Sequence, residues 1–413
     1  MPEAQLLQQS LTLPCGAVLQ NRIAKAAMSE HLATRRQSPS EGLIELYRQW
    51  SKSGAALLIS GNVMVDPTHL ESPRNVAITP ELDRAALRRW AEAATSGGHH
   101  FWMQLNHPGR QTPASVHPQP CAPSAGEAVD LFKRAGAFAP PRAMRPGEVT
   151  RTIHAFAEAA ALAKDAGFTG VQVHGAHGYL VNQFLTPLIN RRTDEWGGPT
   201  IEERARFLRA LIRAIRDAVG TEFPIGLKLN STDFQHGGFN EHESMRVLEM
   251  MQEDGVDLVE ISGGSYEARA MFDGAAESRS SEVFFLDYAE KARARVDIPL
   301  MVTGGFRTRA IMEDSLSSGW LDVVGMARPF TNNPRVAEQL LSGEIHKALD
   351  PPPVLGLSRL KGAGAAGMSV VQMALIARGE DPTSRFAGLR ALMAVARHEL
   401  SSLKRAKKPP PQA

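Results

Sequence analysis

The chain has 413 residues, 43% of them hydrophobic, and a formal net charge of +2 at pH 7. That apolar content supports one large core with an appendage and excludes a disordered chain, while the near-balanced charge gives no case for nucleic acid or a membrane surface, so a small-molecule partner is expected. Cys15 and Cys121 are too few for a zinc or iron–sulfur cluster and too far apart for a disulfide framework. Without a signal-like start or an apolar run of about 18 residues, a cytoplasmic location is the default expectation.

Residues 21–28 read as a short strand and 42–53 as a helix, with Leu43, Leu46, Tyr47 and Trp50 at helical spacing. The unit repeats as strand 55–60 with helix 81–96, and as strand 100–105 with helix 148–166 after a long Pro- and Gly-containing excursion. Strands at 169–174, 224–230, 257–262, 298–305 and 321–327 follow, with helices at 200–218, 240–254, 285–295, 308–318 and 333–342. Eight near-continuous apolar strands alternating with helices predict a parallel sheet closed into a TIM (β/α)8 barrel over residues 1–345. Residues 346–413 read as a linker punctuated by Pro351–Pro353, then a C-terminal helical extension with a basic tail. Its stripe of Phe386, Leu389, Met393, Ala396 and Leu400 is expected to dock on the barrel or on a second copy, as in a homo-oligomer.

Catalytic groups of such barrels lie at the C-terminal strand ends. The densest set there is in HGAHGYLVNQFLTPLINRRTDEWGG, residues 174–198, where His174, His177 and Tyr179 follow a strand directly. No carboxylate or cysteine stands beside them at ligand spacing, so no metal is expected. Gly304 and Gly305 permit close backbone approach and Arg328 offers a planar fork, a combination suited to phosphate. Gln104, Lys228 and the backbone of Ala27, Met28, Ser29 and Gly61 form an amide and cation array that a phosphorylated cofactor with ring carbonyls, such as a flavin, requires. His107 and Arg110 read as structural hydrogen-bonders of a Gly-bounded loop, and Arg192, Asp194 and Trp196 as scaffold. Two other readings stay open: a Schiff-base lyase using Lys228, and a non-catalytic flavin-binding partner protein.

The segments NRIAKAAM, QLNHPGR, HGAHGYLVNQFLTPLINRRTDEWGG, GGF and the ARPF after VVGM resemble the old yellow enzyme family over about residues 5–345. The resemblance implies an FMN-dependent ene-reductase that takes hydride from NADH or NADPH and passes it to an activated alkene. It implies further that His174 and His177 bond the substrate's electron-withdrawing oxygen, that Tyr179 protonates the α-carbon, and that Ala27, Met28, Ser29, Gly61, Gln104, Lys228, Gly304, Gly305, Ala327 and Arg328 hold FMN. His31, Asn106 and Tyr266 are expected on the substrate side, with 263–284 as a lid. The family commonly has Pro-Met-Cys or Pro-Met-Thr where Ala27-Met28-Ser29 stands, and Arg where Lys228 stands, so a shifted flavin potential is expected. Unlike larger dienoyl-CoA reductase relatives, the tail carries neither a cysteine cluster nor a dinucleotide motif, placing the chain in the branch without an iron–sulfur cluster.

Overall fold

The computed structural model describes residues 5–129, 137–264, 285–349 and 361–383, with the backbone alone at 361–366. Eight parallel strands form its centre: β1 (Ile23–Lys25), β2 (Leu57–Met64), β3 (His100–Asn106), β4 (Gly170–Gly175), β5 (Ile225–Asn230), β6 (Leu258–Ser262), β7 (Leu300–Thr303) and β8 (Val323–Met326). Each pairs with the next and β8 pairs with β1, so the sheet closes and the expected TIM barrel is present. Eight helices alternate with the strands: α1 (Glu41–Trp50), α2 (Arg84–Thr95), α3 (Pro146–Asp165), α4 (Arg206–Val219), α5 (Glu241–Glu253), α6 (Leu286–Arg293), α7 (Arg309–Ser317) and α8 (Val336–Ser342). Several begin where a side chain satisfies the free N–H groups of the first turn: Ser40 caps α1, Asp83 caps α2, and Asn240 with Glu243 forms a capping box on α5.

Successive side chains on a strand point to opposite faces, and this alternation sorts the barrel into two environments. Met103, Leu105, Val171, Val173, Leu227, Leu229, Val259 and Ile261 face outward into the large cluster shared with the helices. Inward, the lower lumen is apolar, filled by Ala24, Leu57, Ile59, Trp102, Leu258, Met301 and Val323, with Leu13 and Leu19 joining from the hairpin Leu11–Thr12/Val18–Leu19. Trp102 occupies so much of this space that its neighbours must lack side chains: a Cβ on Gly170 would lie 2.4 Å from the indole nitrogen and one on Gly226 2.7 Å from the ring edge.

Three boundaries depart from expectation for identifiable reasons. Strand β2 does not stop at Ser60 but continues to Met64 through an irregularity between Ile59 and Asn62, where Ser60 Oγ accepts the Gln104 N–H at 2.9 Å. The helix expected over 200–218 is two pieces, Ile201–Arg204 and α4, because the first is a capped turn closed by Thr200 and Glu203. A helix at Lys361–Ile376, unanticipated in a linker, docks on its own barrel: the buried Gln372 accepts from Thr331 Oγ1 at 2.9 Å and donates to Asn332 Oδ1 at 2.6 Å. The Phe386–Leu400 stripe lies outside the described residues.

Candidate active site

Toward the C-terminal strand ends the inward positions turn polar: Gln104 and Asn106 on β3, Gln172 and His174 on β4, Lys228 and Asn230 on β5, Glu260 and Ser262 on β6. Four of them form one chain. Lys228 Nζ donates to Glu260 Oε1 at 2.9 Å, Gln172 Nε2 to Glu260 Oε2 at 2.8 Å, and Gln104 Nε2 to Gln172 Oε1 at 2.7 Å. The carboxylate only accepts, so it dictates the orientation of both amides in turn. Glu260 and Gln172 were not among the expected site residues. Their signal is the polar alternation inside GVQVHG and LVEIS, masked when those strands are read as simple apolar runs.

Past β4 the chain enters the left-handed region at two successive residues, His177 (φ 61) and Gly178 (φ 75). Such a conformation in a non-glycine residue costs about 1–3 kcal/mol and persists only where surroundings over-determine it. Here every peptide group of the step is held: His177 N–H by Asn230 Oδ1 (3.1 Å), Gly178 N–H by Asn182 Oδ1 (2.8 Å), His177 C=O by Gln111 Nε2 (3.0 Å) and Gly178 C=O by Gln183 Nε2 (2.7 Å). Asn182 and Asn230 are themselves fixed by Asp233 at 3.1 and 3.0 Å. The remainder of the motif is scaffold, with Asn190 tying Phe184 and Trp196 carbonyls together and Arg192 paired with Asp194.

This turn gathers the three reactive groups. The His174 ring meets His177 edge-on at 5.0 Å and Tyr179 at 4.8 Å between centroids, and Tyr179 is 4% exposed. His174 Nδ1 accepts the Ala176 N–H at 3.3 Å, so the neutral ring carries its proton on Nε2. His177 Nε2 lies 2.7 Å from Ser262 Oγ. Burial first, then the positive charges nearby, hold both imidazoles well below their ordinary range; for His177 the charge is that of Lys228. Both rings are therefore neutral hydrogen-bonding groups.

Of the other expected residues, Ala27, Met28, Ser29, Gly304, Gly305 and Ala327 lie half-buried at or just past strand ends, and Arg328 is exposed with no hydrogen bond or ion pair of its guanidinium among the described residues. Gly304 (φ 130) and Gly305 (φ 95) occupy conformations that favour glycine. Ser29 Oγ donates to Glu71 at 3.0 Å, and Gly61, within β2 rather than beyond it, gives its N–H to Glu30 Oε1 at 2.8 Å. His31 Nδ1 is 2.8 Å from Ser72 Oγ. Tyr266 and the 265–284 segment fall outside the described residues.

A ligand is expected to complete this mouth. Among the described residues, Asn106, fully buried on the same strand face as Gln104, has neither its amide nitrogen nor its oxygen bonded, and Thr303 Oγ1, immediately before Gly304, is likewise without a partner there. Unmet polar groups above an amide and ammonium layer, beside a glycine pair and a free guanidinium, suit a planar heteroaromatic group bearing a phosphate.

The closed barrel is the fold of the old yellow enzyme class, and comparison with known proteins places the chain there. Residues 14–346 match the NADH:flavin oxidoreductase / NADH oxidase family, and the chain belongs to it. An NADH-dependent flavin oxidoreductase of Hypocrea jecorina is 37% identical over 355 residues, spanning 80% of this chain and 88% of the relative. The structure of an old yellow enzyme homologue from Zymomonas mobilis superposes with a TM-score of 0.71 at 26% identity, over 82% of this chain and 93% of that one. Morphinone reductase in complex with tetrahydroNAD gives 0.70 at 26% identity, over 84% and 93%. The family and cofactor anticipated from the motifs are thus borne out: the protein is an FMN-dependent oxidoreductase that draws on NADH or NADPH.

Proposed function

We propose that the enzyme reduces the activated C=C bond of an α,β-unsaturated carbonyl or related compound by a ping-pong cycle, with NAD(P)H and alkene using one mouth in turn. FMN, when bound, would supply the hydride-carrying chemistry that links the nicotinamide to the alkene β-carbon. Gln104 and Lys228 would meet its ring, with Ala27, Met28, Ser29 and Gly61 along its edge and Gly304, Gly305, Ala327 and Arg328 at its phosphate. Asn106 and His31 would face the substrate.

The observation that carries this reading is the pair of buried, neutral imidazoles beside a buried phenol. His174 and His177 donate hydrogen bonds to the substrate's electron-withdrawing oxygen and stabilise the enolate that develops there. A phenol is acidic enough to protonate the α-carbon of a strongly basic enolate, and Tyr179 supplies one beside the two imidazoles. A lyase would instead need the Lys228 amine lone pair, yet Nζ donates to the buried Glu260 carboxylate.

Anaerobic stopped-flow tests the reading. Tyr179→Phe is expected to slow reoxidation by an enone by about 10²-fold or more while leaving reduction by NAD(P)H nearly unchanged. Equal slowing of both half-reactions would remove Tyr179 from the proton-donor role.

A further inference from the structure

Outside the lumen, three metal-capable side chains from three distant segments converge. His69 follows β2, His107 follows β3, and Cys121 lies in the excursion before α3; all are buried and one ligand atom of each falls within 4.8 Å of the others. We propose that His69, His107 and Cys121 bind a divalent zinc-type ion, a site separate from the His174 and His177 pair at the end of β4.

The carboxylate of Asp66 prepares the site. Its Oδ1 is pinned by the Thr68 N–H (2.8 Å) and hydroxyl (2.7 Å), and its Oδ2 accepts the His69 Nδ1 proton at 2.9 Å. A neutral His69 thereby keeps its Nε2 lone pair on the Cys121 side, where the Cys121 N–H approaches at a long 3.4 Å and the Cys121 thiol also interacts with the ring. A carboxylate behind a histidine whose other nitrogen is left to a metal is the arrangement that orients metal-binding imidazoles. The His107 ring lies 4.8 Å from that of His69, and its Nε2 stands 3.6 Å from Asp66 Oδ2, beyond a normal hydrogen bond.

On binding, the Cys121 thiol releases one proton and its sulfur joins the ion as thiolate. The His107 proton moves to Nδ1, which gives up the Gly109 N–H it now accepts at 3.0 Å. Two imidazoles, a thiolate and a water form the mixed nitrogen and sulfur set that zinc takes with four-coordination. A cavity of about 240 Å³ beside these residues admits ion and water. Charge is compatible: the thiolate and Asp66 offset the ion, and Arg142 on the cavity wall is paired with Glu148 at 2.8 and 2.9 Å. The ion would tie the excursion that carries Cys121 to the ends of β2 and β3.

Tag-free, full-length protein stripped with chelator and titrated calorimetrically with Zn²⁺ tests the proposal, alongside H69Q, C121S and D66N. The expected result is one tight site releasing about one proton per ion, with affinity about 10-fold or more weaker in D66N and further reduced in the two ligand variants. Co²⁺ should give a thiolate charge-transfer band in the wild type that C121S lacks. Zinc affinity equal in wild type and H69Q, or a cobalt spectrum without the thiolate band, would overturn the site. Both readouts stand without C121S should that variant fail to fold.

Discussion

Replacing Glu260 with glutamine removes the negative charge that Lys228 and Gln172 share, and it adds a donor where only an acceptor stood. The Gln172 and Gln104 amides lose the constraint that orients them, and the Lys228 ammonium loses its counter-charge. With FMN above this layer, E260Q should raise the flavin midpoint potential by roughly 30–60 mV, since about 30 mV corresponds to 1.4 kcal/mol for two electrons and the reduced anion gains an uncompensated cation. Spectroelectrochemistry checks it; an unchanged or lower potential would mean that the pair does not sense the flavin. Lys228 and Gln104 were legible as strand-end polar groups, and the 174–198 motif was legible because its two imidazoles and phenol fall within six residues, 174–179. Glu260 and Gln172 were not, because their partners lie on neighbouring strands and only barrel closure brings them together. Ser29 shows the same limit: it was expected beside the cofactor, and the hydrogen bond its hydroxyl gives to a tertiary neighbour, Glu71, was not visible in the sequence.

Among the elements, Trp102 on β3 with Gly170 and Gly226 on β4 and β5 makes a packing unit in the lower lumen. Gly226→Ala places a methyl 2.7 Å from the indole edge and is expected to destabilise by about 1–3 kcal/mol, while adding Trp102→Phe should recover part of that loss. Chemical denaturation of the single and double variants measures the coupling, and strict additivity would contradict direct contact. The apolar periods of strands and helices were legible because burial alone dictates them, which is why all eight βα units appear in order. What escaped the sequence was geometry that depends on a neighbour. The irregularity that carries β2 on to Met64 is stabilised from β3 through Ser60 and Gln104. Lys361–Ile376 reads KGAGAAGMSVVQMALI, where glycines argue against a helix until Gln372 finds Thr331 and Asn332.

For the whole molecule, the buried imidazoles set an acid limit on stability. His174 and His177 are held well below the ordinary value, and His99, His100 and His117 are lowered as well, each chiefly by burial, whereas His69 is raised through Asp66. Below about pH 6.5 the unfolded chain takes up protons that the five lowered histidines refuse in the fold, so stability falls as pH falls, and His69 opposes the trend in part. The melting temperature should decline between about pH 7 and pH 5, and less steeply in a His174→Gln, His177→Gln double variant. An equal slope in the two proteins would show that this pair does not contribute.

The most direct measurement of the central claim is an anaerobic titration followed in the visible spectrum. The account predicts a yellow protein that releases FMN on denaturation, is bleached by NADH or NADPH, and regains its colour on addition of an α,β-unsaturated ketone, with one equivalent of saturated product. A protein that holds no FMN after reconstitution, or one that is bleached by nicotinamide but left reduced by enones, nitroalkenes and maleimides alike, would contradict it.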